Sequence, residues 1–229
     1  MYIIKVTTLL FLVMVALTTA QDPPNYGPYQ MSSGSINMFV SDFNMMGSSG
    51  QLRTWYDYPA NKERFRFTLE DQDLTFDYFL FFEDVMYSAV YYGDDLVSCT
   101  LIDISEVEMP APSYIADYCE AVGPAFVASQ WATEWSCPNF APTLSFLYTA
   151  NGPDQLPLRQ AIQYADSEGN NMGVGIIDIY NFVEKQPKAE VFVPPSACAA
   201  AVGNQTVTAR GAYAQHAKMA ETLRPRHRF

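Results

Sequence analysis

Two histidines and four cysteines are the residues in this chain from which nucleophilic, general-base or thiolate-metal chemistry would first be sought. His216 and His227 both fall in the last fourteen residues, far from any serine motif. A Ser-His-Asp site is recognised by mutual geometry that nothing here suggests, and G-x-S-x-G is missing. The tail histidines therefore read as exposed. Cys99, Cys119, Cys137 and Cys198 form no C-x-x-C pair, so zinc and thiol-redox sites are poor fits. An even count in an exported chain reads instead as two disulfides, and spacing leaves all three pairings open.

Carboxylates are abundant but carry no motif. Glu134 and Asp178 are no better placed for paired-carboxylate glycoside chemistry than a dozen others. Asp71-Gln72-Asp73 and Asp94-Asp95 offer hard oxygen ligands for calcium. The D-x-D at Asp71 lacks the glycine and distal glutamate of an EF-hand loop, and solvated turns explain both clusters more simply. Met46-Gly47-Ser48-Ser49-Gly50 reads as a flexible turn, since the helix and lysine of a phosphate loop do not follow. Nothing in the sequence marks an enzyme.

Composition narrows the rest. The formal net charge is −12. Residues 21–198 hold 7 basic and 24 acidic side chains, while 199–229 hold 5 basic and 1 acidic. The acidic body would repel phosphates, which excludes nucleic acid as a partner. Residues 1–20 read as an export signal, with Lys5 as the positive flank, an apolar run, and Thr18-Thr19-Ala20 as a small-residue cleavage site. That run is too short for a membrane span of ~20 residues. The remaining chain suits one domain, which at this size buries roughly 70% of its unfolded surface. Asn204-Gln205-Thr206 is a glycosylation acceptor.

The elements that would position any site are strands. Residues 53–99 hold four strand-like runs crowded with Phe, Tyr and Trp. Residues 52–58 and 64–69 predict a hairpin across a polar turn at 59–63. In its second arm Phe65, Phe67 and Leu69 alternate with Arg64, Arg66 and Thr68, the period of a strand with one dry face and one wet. Residues 74–82 are apolar on both faces, so that strand is covered twice or lines a cavity while packing a core. Residues 85–92 and 96–104 predict a second hairpin around Gly93-Asp94-Asp95. Residues 36–43, 143–149, 158–164 and 173–182 read as further strands, 113–122 as a short helix, and 126–135 as either. Residues 191–198 are held extended by Pro194 and Pro195. Residues 209–223 read as helical. The chain divides into a leader at 1–20, an extended lead-in at 21–34, one domain at 35–198, and a basic, glycosylated, partly helical tail at 199–229.

Several segments, in order, resemble the ependymin-related family of secreted glycoproteins. W-Y-D-Y-P-A-N-K-E-R-F-R-F, F-D-Y-F-L-F-F-E-D-V-M-Y followed by Cys99, I-I-D-I-Y-N-F-V, and V-F-V-P-P-S-A-C are the residues that carry it. The likeness spans residues 52–198 with a poorly matching middle, and the last motif is the most specific. It implies a mostly β, α+β fold: a strongly curved antiparallel half-barrel wrapped over one or more helices, with an apolar cavity, similar to bacterial lipoprotein carriers. It implies a Cys99–Cys198 bridge, which leaves Cys119 with Cys137. It also implies glycosylation, calcium binding and lipid binding. The basic tail and the count of four cysteines depart from the family's usual pattern.

The resulting expectation is a secreted, non-catalytic protein holding a lipid or other hydrophobic small molecule, with Trp55, Phe67, Phe76, Tyr78, Leu80, Met86 and Phe146 near the cavity. Met and aromatic side chains suit adaptable apolar pockets. The alternative is an extracellular matrix or adhesion protein with an acidic, calcium-binding surface. Either class leaves room for a homodimer.

Overall fold

The computed structural model describes residues 22–40, 48–137, 144–165 and 171–199. The expected leader, Asn204, both histidines and the helix at 209–223 lie outside the described residues.

Eleven strands form one antiparallel sheet: β1 Tyr29–Val40, β2 Ser48–Asp57, β3 Lys62–Leu69, β4 Leu74–Phe81, β5 Val85–Tyr92, β6 Asp95–Asp103, β7 Glu120–Val127, β8 Gln130–Cys137, β9 Leu144–Ala150, β10 Pro157–Ala165 and β11 Asn171–Ile179. Their order is β6-β5-β4-β3-β2-β1-β11-β10-β9-β8-β7, which leaves β6 and β7 as edges and the sheet unclosed. The sheet is strongly curved. Glu63 on β3 and Cys137 on β8 line one cavity although six strand steps separate them. A flat sheet would hold those strands about 29 Å apart at ~4.8 Å per step.

The two hairpins of residues 52–104 fold as their alternation predicts. Phe67, Leu69, Leu74, Phe76, Tyr78, Met86 and Val90 form a buried cluster on the concave face, and Ile162 and Ile177 pack against it from the far half of the sheet. β4 is covered on both faces. Asp77, Phe79 and Ala89 are buried on the convex side, beneath the segment that ends at Cys198. The bridges are Cys99–Cys198 and Cys119–Cys137, the pairing that the resemblance implies.

Helix plays a smaller part than expected. The helical pattern at 113–122 yields only α1, Tyr114–Tyr118. Cys119 is bridged to Cys137 on β8, and the chain from Glu120 onward pairs with β8 as an edge strand, which leaves Tyr118 and Val122 exposed. Beyond α1 the described residues hold a 3-10 turn at Ala189–Phe192 and α2, Ser196–Ala199, where an extended segment was expected. Among the described residues, helix over the sheet is limited to these short pieces. Two other boundaries moved. β1 begins at Tyr29, inside the expected lead-in. Ser48–Gly50, read as turn, belongs to β2, where a Cβ on Gly50 would lie 2.0 Å from the Thr68 carbonyl oxygen.

A cavity on the concave face

The cavity begins with the β2–β3 turn. The Ala60 N–H donates to Asp57 Oδ1 at 3.1 Å, and Asn61 takes a left-handed conformation at φ 56°. Asn61 Nδ2 then donates to the Phe82 carbonyl at 2.8 Å. This tight closure ends the turn early, so β3 starts at Lys62. Glu63, read from sequence as a turn residue, is therefore a strand residue paired with Tyr56 on β2 and Leu80 on β4. Alternation places it on the same face as Phe65, Phe67 and Leu69.

The register carries that face across the sheet. Tyr56 lies opposite Gln30, Thr54 opposite Ser32, and Leu52 opposite Gly34, which pairs in turn with Ile179. Ile177 lies opposite Gln160, Gln160 opposite Leu147, and Ser145 opposite Cys137. These side chains line a cavity of about 260 Å³, just below the ~300 Å³ at the small end of ligand pockets. Tyr114 and Ile115 of α1 roof it, and Tyr26 and Phe182 complete the wall.

Hydrogen bonds and a bridge hold the roof in place. The Tyr56 hydroxyl donates to the Pro110 carbonyl at 2.6 Å, fixing the connection from β6 to α1 over the concave face. The Cys119–Cys137 bridge ties the end of α1 to β8, and Tyr114 and Ile115 pack on the cluster of Cys119, Trp135, Cys137 and Leu147. Tyr26 donates to the Gln155 carbonyl at 2.9 Å and meets the Phe182 ring at 4.9 Å.

Most polar groups of the wall are already engaged. Ser32 and Thr54 share a 2.7 Å hydrogen bond, Gln30 Nε2 donates to the Gly27 carbonyl, and Gln160 Nε2 donates to Ser145 Oγ. Glu63 differs. Among the described residues its carboxyl makes no ion pair and no side-chain hydrogen bond. It keeps partial solvent contact yet is surrounded by protein, as expected of a wall residue facing a void. Burial pushes its carboxyl up to about 7. Burial, then the Glu63 and Tyr58 side chains, raises the Tyr56 hydroxyl above its ordinary range.

The seven residues expected around a cavity lie outside this one. Phe67, Phe76, Tyr78 and Met86 are buried in the neighbouring concave cluster, with Leu80 packed against it. Trp55 lies opposite Arg64 on the convex face, where the guanidinium stacks 4.9 Å from its ring. Phe146 alternates with Ser145 and Leu147 and points away from the cavity. None of the seven is in the lining. Aromatic density in residues 53–99 marked the packed half of the concave face, whereas this cavity lies beside it, lined by aliphatic, polar and aromatic side chains drawn from across the sheet. Extending the Phe65-Phe67-Leu69 alternation back by one step would have found Glu63.

The other candidate chemistry does not assemble. Among the described residues no three His, Cys, Asp or Glu side chains come together to hold a metal, and this includes Asp71, Asp73, Asp94 and Asp95. Asp178 pairs with Arg159 at 2.6 Å, and Glu134 lies on the same convex row beyond Tyr148.

No family model matches the chain, and no curated protein matches it. Among solved structures it is similar to an uncharacterized conserved protein from Thermus thermophilus, at 13% identity over 73% of this chain and 87% of that one, with a TM-score of 0.43. It is also similar to MucB, at 12% identity over 75% of this chain, TM-score 0.35, and to the Pseudomonas aeruginosa MucA/MucB complex, at 14% over 74%, TM-score 0.35. The chain spans 59% and 57% of those last two. Likenesses this distant are of outline and carry no functional argument.

Proposed function

We propose that this protein is a secreted, non-catalytic carrier that holds a small hydrophobic or amphiphilic molecule in the cavity beneath α1. One observation carries the reading: side chains from seven strands converge on a mostly apolar void that the curved sheet leaves open beside its packed core. Each methylene buried there would contribute about 0.8 kcal/mol. The two disulfides suit an oxidising compartment and hold both the roof and the C-terminal strap. The ependymin-related resemblance of residues 52–198 supports the same class, and we extend that membership to this chain as part of the proposal.

The test is organic extraction of the protein as secreted by eukaryotic cells, followed by mass spectrometry, with calorimetric titration of the stripped protein by 1-octanol. A co-purifying amphiphile or saturable one-to-one binding is expected. Neither appearing would contradict the carrier reading.

A further inference from the structure

Among the described residues the cavity presents one carboxyl and no matching cation. Glu63 is the only Asp, Glu, Lys, Arg or His that the described residues contribute to the lining. The neighbours that face it are Tyr56 from β2, Leu80 from β4, Tyr114 and Ile115 from α1, and Tyr26 and Gln30 from the N-terminal side. The Tyr56 and Tyr26 hydroxyl protons are committed to backbone carbonyls, and the Gln30 amide to Gly27. The nearby basic residues belong to the other face: Lys62 lies over the Phe81 ring, and Arg64 is held by Asp77. The next carboxylate, Glu184, is exposed beside Gly27 and Tyr26 and adds negative charge on that side.

A carboxylate set in a cavity wall with little solvent and no partner is unfavourable, and a ligand that supplies the partner recovers part of that cost on binding. An alkylammonium offers three N–H donors and a full positive charge, and its short tail would meet Leu52, Leu147, Ile177 and Ile179. A neutral alcohol offers one donor and no charge. A carboxylate ligand would set two like charges together or need an extra proton. We propose that the cavity selects small cationic amphiphiles, primary amines on a short apolar chain, through an ion pair with Glu63. This rests on the reading of the cavity as a ligand site. The Glu63 carboxyl, near 7 when the cavity is empty, makes selection pH-dependent: amine binding weakens as the carboxyl protonates, while the amine, near 10 like lysine, stays charged.

Calorimetric titration of the whole secreted protein with n-octylamine, 1-octanol and octanoate at pH 8 and pH 5.5 tests this. Octylamine should bind one-to-one at least tenfold more tightly than octanol at pH 8, with octanoate weakest, and its advantage should shrink at pH 5.5. Glu63→Gln, checked for a cooperative unfolding transition, should abolish the discrimination between amine and alcohol. The wild-type pH series stands independently if that variant does not fold. Octanol or octanoate binding as tightly as octylamine at pH 8 would overturn the amine assignment and leave the carrier reading standing. No binding by any of the three would overturn both.

Discussion

Arg64 holds Asp77 with both ends of its guanidinium, Nε to Oδ1 at 2.8 Å and Nη2 to Oδ2 at 2.6 Å, while Nη1 reaches the Val191 carbonyl at 2.7 Å. Asp77 is 1% exposed and Arg64 15%. The Trp55 and Phe79 rings lie 4.9 and 4.5 Å from the guanidinium carbon. Beside Arg64 in sequence, Glu63 faces the opposite way, into the cavity. One dipeptide of β3 thus anchors the C-terminal strap on the convex side and charges the pocket on the concave side.

Removing the acid from that pair leaves a buried guanidinium without its counter-ion. Asp77→Ala should cost about 3–5 kcal/mol in urea unfolding. Asp178→Ala breaks an ion pair of the same 2.6 Å length whose side chains are 30% and 21% exposed, and should cost no more than about 1 kcal/mol. Equal costs would contradict the assignment of the first pair as buried.

The two bridges should differ in weight. Cys99–Cys198 closes a sequence separation of 99 and Cys119–Cys137 one of 18. Loop-closure entropy puts these near ~4.7 and ~3 kcal/mol. Paired Cys→Ser replacement of the first should lower the unfolding midpoint more. Replacement of the second should loosen α1, read as faster amide exchange at Asp117 and Tyr118.

Glu63 gives stability a pH dependence. Its folded carboxyl lies above its unfolded value, so between about 4.5 and 7 the native state binds the extra proton. Stability falls as pH rises through that window, and the partial solvent contact of Glu63 moderates the size of the fall. Glu63→Gln should flatten the profile and be the more stable protein at pH 8. Urea unfolding at pH 5 and pH 8 measures both.

Tyr78 supplies a control inside the packed cluster. Its hydroxyl is buried without a hydrogen bond of ordinary geometry, although Ser88 lies opposite on β5. Tyr78→Phe removes a polar atom whose burial costs about 1–3 kcal/mol. The variant should unfold at the same or higher denaturant concentration, whereas Tyr78→Ala should cost about 3–5 kcal/mol.

What the sequence shows of this molecule follows from period-two alternation. Phe65-Phe67-Leu69 marked the concave face of β3, and the doubly apolar run at 74–82 announced a strand covered on both sides. Those patterns repeat locally and are legible one strand at a time. The cavity was not legible in that way. Its lining is drawn one to three residues at a time from seven strands in both halves of the chain, and it depends on curvature that no single strand encodes. Glu63 was hidden by its neighbours, because Asn61-Lys62-Glu63 reads as a polar turn until the Asp57 and Asn61 hydrogen bonds show where the turn closes. Helix α1 was overextended because Ile115, Tyr118, Cys119 and Val122 mimic helical spacing, while the bridge to Cys137 draws the chain into the sheet edge.

A ligand seated in the void beneath α1 is the claim on which the carrier reading rests. Calorimetric titration of 1-octanol into the wild-type protein and into Ile115→Trp, which fills the cavity from its roof, tests that directly. The expected result is one-to-one binding to the wild type and at least a tenfold loss in the filled variant, with the unfolding transition retained. Equal affinity in the two proteins would place the ligand elsewhere and contradict the claim.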